Sequence, residues 1–229
     1  MRMKARAWGA VSVVNAIATG KGASFGIDLG VEAEADLFPG DLQIECAADD
    51  TLVRKCFEEM AAQSSYYGGG LIKIESSLPV SRGLKSSSAV ANAVCLVLAK
   101  QLNVQLSALD LVQVGVGAAK EAKVTVTGAF DDACASMFGE LCLTDNHKME
   151  VLKRGPAPEY EIALSIPGRP RPKSQVNVAS LEARGEKFAW AFELAMLGKV
   201  EEAMSINGWE VAEALKDDTS VIKDALEAG

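Results

Sequence analysis

Alternation of apolar and polar residues predicts strands in the first 46 residues. "AVSVVNAIATG" and "ASFGIDLGVEAEADL" are rich in β-branched residues and glycine, and "LQIECA" alternates apolar with polar positions. Five apolar residues then recur at helical spacing: Leu52, Val53, Cys56, Phe57 and Met60. Because two acidic residues precede them, we predict a helix with an acidic N-terminal cap. "GGGLIKIESSLPV" is typical of a further strand that ends at Pro79.

Beyond residue 80 the pattern becomes mainly helical. The apolar run through Leu102 predicts a long helix, and Ser107 predicts the cap of the next one. "VTVTGAFDDACASMFGE" predicts a short strand, a glycine turn and the start of a third helix, and "ELCLTDN", "KMEVLKR" and "YEIALSIPG" predict strands. A proline-rich loop at 167–177 precedes a helical region from Ser180 onward. We therefore predict an α+β protein with domains at 1–150 and 151–229.

Composition narrows the class of protein and of partner. The chain has 229 residues, 49% of them hydrophobic, which suits a globular protein. A net charge of −8 argues against a nucleic-acid partner, and no apolar run is long enough to cross a membrane. The N-terminal region resembles a signal peptide only in part, since Asn15 and Lys21 interrupt its apolar run. The odd number of cysteines, set among apolar residues, predicts reduced thiols in a cytoplasmic protein.

Two kinds of catalytic site are disfavoured by the single histidine, His147. A zinc site normally combines several histidine or cysteine ligands, and this chain has no CxxC pair. A Ser-His-Asp relay would also depend on that one imidazole, which lies in a predicted turn. We therefore look for chemistry that needs neither.

The stretch "LPVSRGLKSSSAVANA" combines a glycine turn with the start of an apolar helix. Gly83 permits a tight turn, and the N–H groups of the following helix point toward that turn. Such a turn binds anions, and Ser86, Ser87 and Ser88 add hydroxyls for phosphate oxygens or Mg²⁺. The alternative is that Ser86 only caps the helix. Neither the Walker loop nor the dinucleotide-binding fingerprint is present.

The same stretch resembles the phosphate loop of the GHMP small-molecule kinases, P-x-x-x-G-L-G-S-S-A. Pro79 and the loop residues Gly83, Leu84, Lys85, Ser86, Ser87 and Ser88 fall on this pattern. The difference is Lys85, which stands where that family usually has glycine. A lysine there would add a phosphate contact or narrow the loop. The resemblance implies ATP as the cofactor, bound by these loop residues.

A second feature of that superfamily is a metal-binding glutamate eleven residues before an aspartate that contacts the acceptor hydroxyl. Glu121 and Asp132 have this spacing, and Phe138 and Gly139 follow at the family's aromatic-glycine position. The resemblance implies Mg²⁺ held by Ser87 and Glu121, with Asp132 as the catalytic carboxylate and Asp131 as the other candidate. The alternative for "GAFDDACA" is that both aspartates cap a helix.

The N-terminal stretch distinguishes members of the superfamily. Mevalonate and galactose kinases usually begin with P-G-K or P-G-R, whereas "AWGAVSVVNAIATGKGASFGIDL" resembles archaeal shikimate kinase, as do "SRGLKSSSAVANA" and "TGAFDDACAS". The likeness spans residues 1–172. It implies phosphorylation of the 3-hydroxyl of shikimate in aromatic amino acid biosynthesis. It also implies a GHMP fold with an S5-domain-2-like N-terminal domain and a ferredoxin-like C-terminal domain.

The acceptor pocket and the alternatives remain predictions at this stage. Asn15 and Ser24 are candidates for bonds to substrate hydroxyls, and Lys21 or the cations of the 167–177 loop for the shikimate carboxylate. Homoserine kinase is the alternative within the class, although it often has asparagine where this chain has Asp132. A non-catalytic nucleotide-binding homologue is the alternative outside it. The superfamily also ends in a glycine-rich segment that does not follow "DALEAG", so the resemblance implies an incomplete C-terminal domain.

Overall fold

The computed structural model describes residues 2–79, 84–125, 128–164 and 177–228. The strands in these ranges are β1 (Met3–Val14), β2 (Lys21–Phe38), β3 (Leu42–Glu45), β4 (Gly69–Ser76), β5 (Leu141–Asp145) and β6 (Glu150–Gly155). The helices are α1 (Thr51–Ser64), α2 (Ser86–Leu102), α3 (Ala108–Glu121), α4 (Phe130–Phe138), α5 (Val178–Glu182), α6 (Gly185–Met196), α7 (Val200–Leu215) and α8 (Ser220–Ala228). The predicted α+β class is confirmed.

The long strand β2 organises the sheet. β1 pairs antiparallel along one edge of β2 from Met3 to Val14. On the other edge, the start of β2 pairs with β5 and its end pairs with β4. β3 is parallel to β4, and β6 is antiparallel to β5. Since β4 and β5 share one edge of β2, the strands on either side of the helical region 86–138 belong to the same sheet.

Helix α2 packs against β1 and β2, α1 and α3 pack against α2, and together they form the larger core. The five residues predicted at helical spacing in α1 are all buried. Ser107 caps α3 as predicted, and Asp110 completes a capping box. Of the two acidic residues predicted to cap α1, Asp49 accepts a hydrogen bond from the Thr51 backbone N–H at 3.0 Å, whereas the N-cap residue Asp50 makes no capping hydrogen bond. Its carboxylate pairs instead with Arg54 at 2.7 Å.

A second core joins α6 and α7 to the sheet. Phe192 and Ala195 of α6 belong to one apolar cluster with Val13 of β1, Phe25 of β2 and Leu143 of β5. The later helices therefore cover the strand ends that lie near residues 13–25. β6 belongs to the sheet of the first five strands, and the division of the chain at residue 150 remains a prediction.

Two predicted strands are not observed. Val124 and Thr125 lie in no strand, and residues 156–164, where "YEIALSIPG" begins, form no regular element. Tyr160, Ile162 and Leu164 do alternate, but a strand also needs a neighbouring backbone with which to pair. The rest of both segments lies outside the described residues. Among the described helices, none has the length and apolarity needed to cross a membrane.

Candidate active site

The start of α4 carries the two predicted catalytic aspartates. Ala129 precedes the helix in the left-handed conformation (φ 50°), and Asp131 and Asp132 follow in its first turn, both buried. The Asn146 side chain accepts a hydrogen bond from the Asp131 backbone N–H at 3.1 Å. Because the N-cap residue is Ala129 and it makes no side-chain cap, the alternative that both aspartates merely cap the helix is wrong.

Asp132 is the better contacted of the two carboxylates. Lys85 Nζ lies 3.0 Å from Asp132 Oδ2, and the Ser24 hydroxyl donates to Asp132 Oδ1 at 2.7 Å. A lysine and a hydroxyl therefore hold one oxygen each. Charge-assisted hydrogen bonds of this kind fix the orientation of a carboxylate more firmly than neutral ones.

Asp131 has a different set of neighbours. Asn146 Nδ2 donates to Asp131 Oδ1 at 2.8 Å, and Ser24 Oγ lies 3.5 Å from Asp131 Oδ2. Thr144 donates to the Asn146 carbonyl at 2.7 Å, which orients the amide. Space here is tight, since a Cβ on Gly22 would lie 2.5 Å from Asp131 Oδ2. Uncharged groups therefore surround Asp131.

The pKa values of Asp131 and Lys85 depend on the charges around them. Burial raises the pKa of Asp131 to about 7, and the charge of Asp132 acts in the same direction, while Lys85 and the Asn146 amide oppose them. Burial alone would lower the pKa of Lys85, but the charges of Asp132 and Asp131 outweigh it and raise that pKa. Lys85 therefore stays cationic beside two acids.

The predicted phosphate loop joins this cluster through Lys85. Lys85 is the N-cap residue of α2, with φ 59°, and it makes no side-chain cap. Ser86 is already helical, so the alternative in which Ser86 caps α2 is wrong. Ser86, Ser87 and Ser88 are half-buried, and Leu84 is buried with its carbonyl near Ala10 N at 3.5 Å. Gly83 lies outside the described residues.

Glu121 lies at the same end of the helix pair as the serines. A Cβ on Gly115 of α3 would lie 3.3 Å from Ala91 of α2. The five-residue connection favours antiparallel packing of these helices, so we infer that Glu121, at the end of α3, lies toward the start of α2. The Glu121 carboxylate is exposed and lies 3.6 Å from Lys55 of α1. No group of three acidic, histidine or cysteine side chains in the described part of the chain is arranged as a metal site.

The predicted substrate residues occupy different places. Ser24 is inside the aspartate cluster, as described above. Asn15 accepts a hydrogen bond from Ile17 N at 2.7 Å in the turn after β1. Lys21 is exposed, with its amine 5.7 Å from the centre of the Phe192 ring. The structure does not bring Asn15 or Lys21 into contact with either aspartate, and the cations of the 167–177 loop lie outside the described residues.

Sequence reasoning missed two residues of this cluster. Asn146 stands in "TDNHKME", which we read only as a turn, and Gly22 stands in "TGKGASFG" beside the predicted Lys21. A glycine inside a predicted strand does indicate close approach by another group. No local signal identifies Asn146, because its partners come from α4 and from β5.

A separate concavity of about 700 Å³ lies against the middle of β2. Its aromatic lining includes Trp8, Phe25 and Tyr160, and Arg6 stacks on the Trp8 ring. The C-terminal end of α4 also lies in this lining, and the negative end of a helix dipole disfavours a polyphosphate. The cluster at the start of α2 and α4 is therefore the better candidate for an active site.

Comparisons with known proteins show the family of the chain. Residues 51–140 match the family model of the GHMP kinase N-terminal domain. The chain is 40% identical to the shikimate kinase of Methanococcoides burtonii over 99% of its own length and 80% of that protein. It is 38% identical to the shikimate kinase of Pyrococcus furiosus, over its whole length and 86% of that protein. The chain belongs to the archaeal shikimate kinase family.

Solved structures show that the fold is shared more widely. The mevalonate kinase of Methanococcus jannaschii matches with a TM-score of 0.66 at 14% identity, over 93% of this chain and 79% of that one. The homoserine kinase of Cytophaga hutchinsonii matches with a TM-score of 0.63 at 16% identity, over all of this chain and 79% of that one. The predicted GHMP kinase fold is therefore confirmed. At these identities the likeness concerns the fold alone.

Proposed function

We propose that the chain phosphorylates the 3-hydroxyl of shikimate with ATP, giving shikimate 3-phosphate on the route to aromatic amino acids. Its relatives named shikimate kinase support the substrate, since they are 38–40% identical over nearly the whole chain. The observation that carries the chemistry is the contact between Asp132 and Lys85, which directly precedes the serines of α2. The carboxylate proposed to contact the acceptor hydroxyl and the turn proposed to bind phosphates thus lie in one site.

The start of α2 fits the phosphates of ATP. No acidic residue lies in the first turn of this 17-residue helix, and the positive end of its dipole favours an anion. The half-buried hydroxyls of Ser86, Ser87 and Ser88 are near the same end. With Gly83, Leu84 and Lys85 they form the proposed nucleotide-binding loop. When bound, ATP supplies the phosphoryl group and Mg²⁺ neutralises charge on its phosphates.

Ser87 and Glu121 fit Mg²⁺ by donor chemistry. Magnesium sites commonly combine one or two carboxylates with substrate phosphates and water, and a hydroxyl oxygen is a suitable hard ligand. Both residues lie at the same end of the α2 and α3 pair. To bind Mg²⁺, the Glu121 carboxylate must leave its ion pair with Lys55. The cost is small because an exposed ion pair of this kind contributes little to stability.

Asp132 is the proposed base. Its carboxylate lies in the first turn of α4, oriented by Lys85 and Ser24, and it accepts the proton of the acceptor hydroxyl or aligns that hydroxyl for attack. We propose that Asp131 supports it through the shared Ser24 contact. Ser24 is fully buried, so its hydroxyl acts through the aspartates. Asn15 and Lys21 remain predicted contacts of the acceptor pocket.

We further propose a cytoplasmic location. None of the five cysteines forms a disulfide, and Cys56, Cys95, Cys134 and Cys142 are buried. Reduced buried thiols are usual in cytoplasmic proteins.

An assay of ADP release with shikimate, homoserine and mevalonate tests the substrate. We expect turnover with shikimate that depends on Mg²⁺ and is lost in Asp132→Asn. Turnover with homoserine or mevalonate and none with shikimate would overturn the assignment of substrate while leaving the reaction class in place. Nucleotide binding by calorimetry without turnover on any of the three alcohols would favour a non-catalytic protein.

A further inference from the structure

The backbone at Lys85 is unusual for a lysine. With φ 59° and ψ 33° it is in the left-handed region, which residues other than glycine rarely occupy. A glycine would adopt this conformation without strain. Lys123 and Lys216 share this conformation, so the backbone alone assigns no role to Lys85, and its role follows from the contacts of its side chain.

The Lys85 amine is engaged by a carboxylate. It lies 3.0 Å from Asp132 Oδ2, and its side chain is only 24% exposed. Forty-seven residues separate the two positions in sequence, so the contact joins the loop before α2 to the first turn of α4. The sequence predicted that a lysine here would touch phosphate or narrow the loop, and the observed contact is a third possibility.

The partner of Lys85 is one member of a crowded acidic pair. Asp131 and Asp132 are adjacent and buried, and both approach Ser24. Two carboxylates in one buried site repel each other, so a cation in contact with one of them offsets that repulsion and fixes its position. Lys85 contacts Asp132, whereas Asp131 receives the neutral amide of Asn146.

We propose that Lys85 is a positioning residue for catalysis, whose ammonium holds the Asp132 carboxylate in the orientation that meets the acceptor hydroxyl. This inference rests on the proposed function and deepens it. It explains how a base is held in place beside a second carboxylate and next to the proposed phosphate-binding loop. It also links nucleotide loop and base, because Lys85 belongs to both.

Other titratable groups near the pair do not replace Lys85. Burial raises the pKa of the Cys142 thiol to about 12 and raises that of Cys134 still further, so both stay neutral. Arg154 acts on those thiols from β6. The groups that act on Asp131 are Asp132, Lys85 and the Asn146 amide. Lys85 is thus the cation that faces the aspartates from the α2 side.

Three variants of Lys85 test the proposal by kinetics. Lys85→Met removes the charge and keeps the length of the side chain. Lys85→Gly removes the whole side chain and favours the left-handed backbone. Lys85→Arg keeps the charge. We expect kcat to fall about 100-fold in the first two, with the KM for ATP changed less than about threefold. Lys85→Arg should restore kcat to within about tenfold.

The matched control is Lys216→Gly. Lys216 is an exposed lysine at the end of α7 with φ 55°, so the same backbone change is made away from the site. We expect its kcat to equal that of the wild type. A kcat within threefold of wild type in Lys85→Met would overturn the proposal. An increase confined to the KM for ATP would overturn it in favour of a phosphate contact.

A spectrum of the lysine ammonium groups tests the contact without any substrate. In ¹H–¹⁵N spectra of uniformly labelled protein, Lys85→Met identifies the Lys85 signal. Asp132→Asn should shift this signal or abolish it through faster exchange with water, and Asp131→Asn should change it less. An unchanged signal in Asp132→Asn overturns the proposal. A separate outcome is that shikimate fails as a substrate even though the spectrum shows the contact. In that case the proposed function is wrong, and the three Lys85 variants are assayed with the alcohol that the enzyme does phosphorylate.

Discussion

Asp131→Asn should change how the stability of the fold depends on pH. Asp131 is 3% exposed, and its pKa is raised by burial, reinforced by the charge of Asp132, from 3.8 to about 7. The folded protein therefore holds this proton more tightly than the unfolded chain does. The stability gained from the bound proton is fully present below about pH 4 and is lost as pH rises through about 7.

The magnitude follows from the size of the shift. Three pH units at about 1.4 kcal/mol each give about 4 kcal/mol as an upper bound for the change in the free energy of unfolding. Asparagine is close in shape to a protonated aspartate and does not titrate. Its carbonyl can accept from Asn146 and its amide can face Ser24, so both contacts of Asp131 have a neutral equivalent. We expect Asp131→Asn to match wild type at about pH 4 and below, and to be more stable by about 2–4 kcal/mol at pH 8.

Urea unfolding at pH 5, 6, 7 and 8 measures this difference directly. The quantity of interest is the free energy of unfolding of Asp131→Asn minus that of wild type, which removes the contribution of other titrating groups. Asp41→Asn, at an exposed aspartate in the turn before β3, controls for the chemical change. A difference that stays constant from pH 5 to pH 8 would refute the reasoning, because Asp131 would then not exchange a proton in this range.

Two further predictions concern the space and the metal of the site. Gly22→Ala places a Cβ 2.5 Å from Asp131 Oδ2, so it should lower the free energy of unfolding in urea titrations by about 1–3 kcal/mol. The control Gly117→Ala, whose Cβ has no atom within 4 Å, should not destabilise the protein. Equal stabilities of the two variants would contradict the packing around Gly22. Glu121→Gln should raise the Mg²⁺ concentration needed for half-maximal turnover and lower kcat about 100-fold. The control is Glu58→Gln, which changes the other carboxylate beside Lys55 and should leave kcat near the wild-type value. An effect of Glu121→Gln below about threefold removes it from the metal site.

Local pattern predicted most of the regular elements. The helical spacing in α1 identified its buried face, and the serine three residues before Asp110 identified the cap of α3. Both depend on interactions within one or two turns, which the sequence displays directly. The strand predicted from "YEIALSIPG" failed over its described part because alternation marks a possible strand, while pairing depends on a distant neighbour.

The sequence predicted which residues form the candidate site but not how they contact one another. The family pattern named Asp132 and the serines, but Lys85 appeared only as a departure from it. Its contact with Asp132 spans 47 residues, and the hydrogen bond from Ser24 spans 108. Such pairs form only when the sheet brings β2 against α4, so no window of sequence contains them. The left-handed backbone at Lys85 is equally invisible locally, since lysine rarely adopts it.

The most direct test of the account is a ³¹P NMR spectrum of the protein with ATP, Mg²⁺ and shikimate. We predict a new phosphate monoester resonance that grows in step with ADP and splits through coupling to the hydrogen on carbon 3 of shikimate. The same resonance should be absent with Asp132→Asn and present with Lys216→Gly. Release of inorganic phosphate alone, or an equal yield of the monoester with Asp132→Asn, would contradict the claim that Asp132 directs phosphoryl transfer to this hydroxyl.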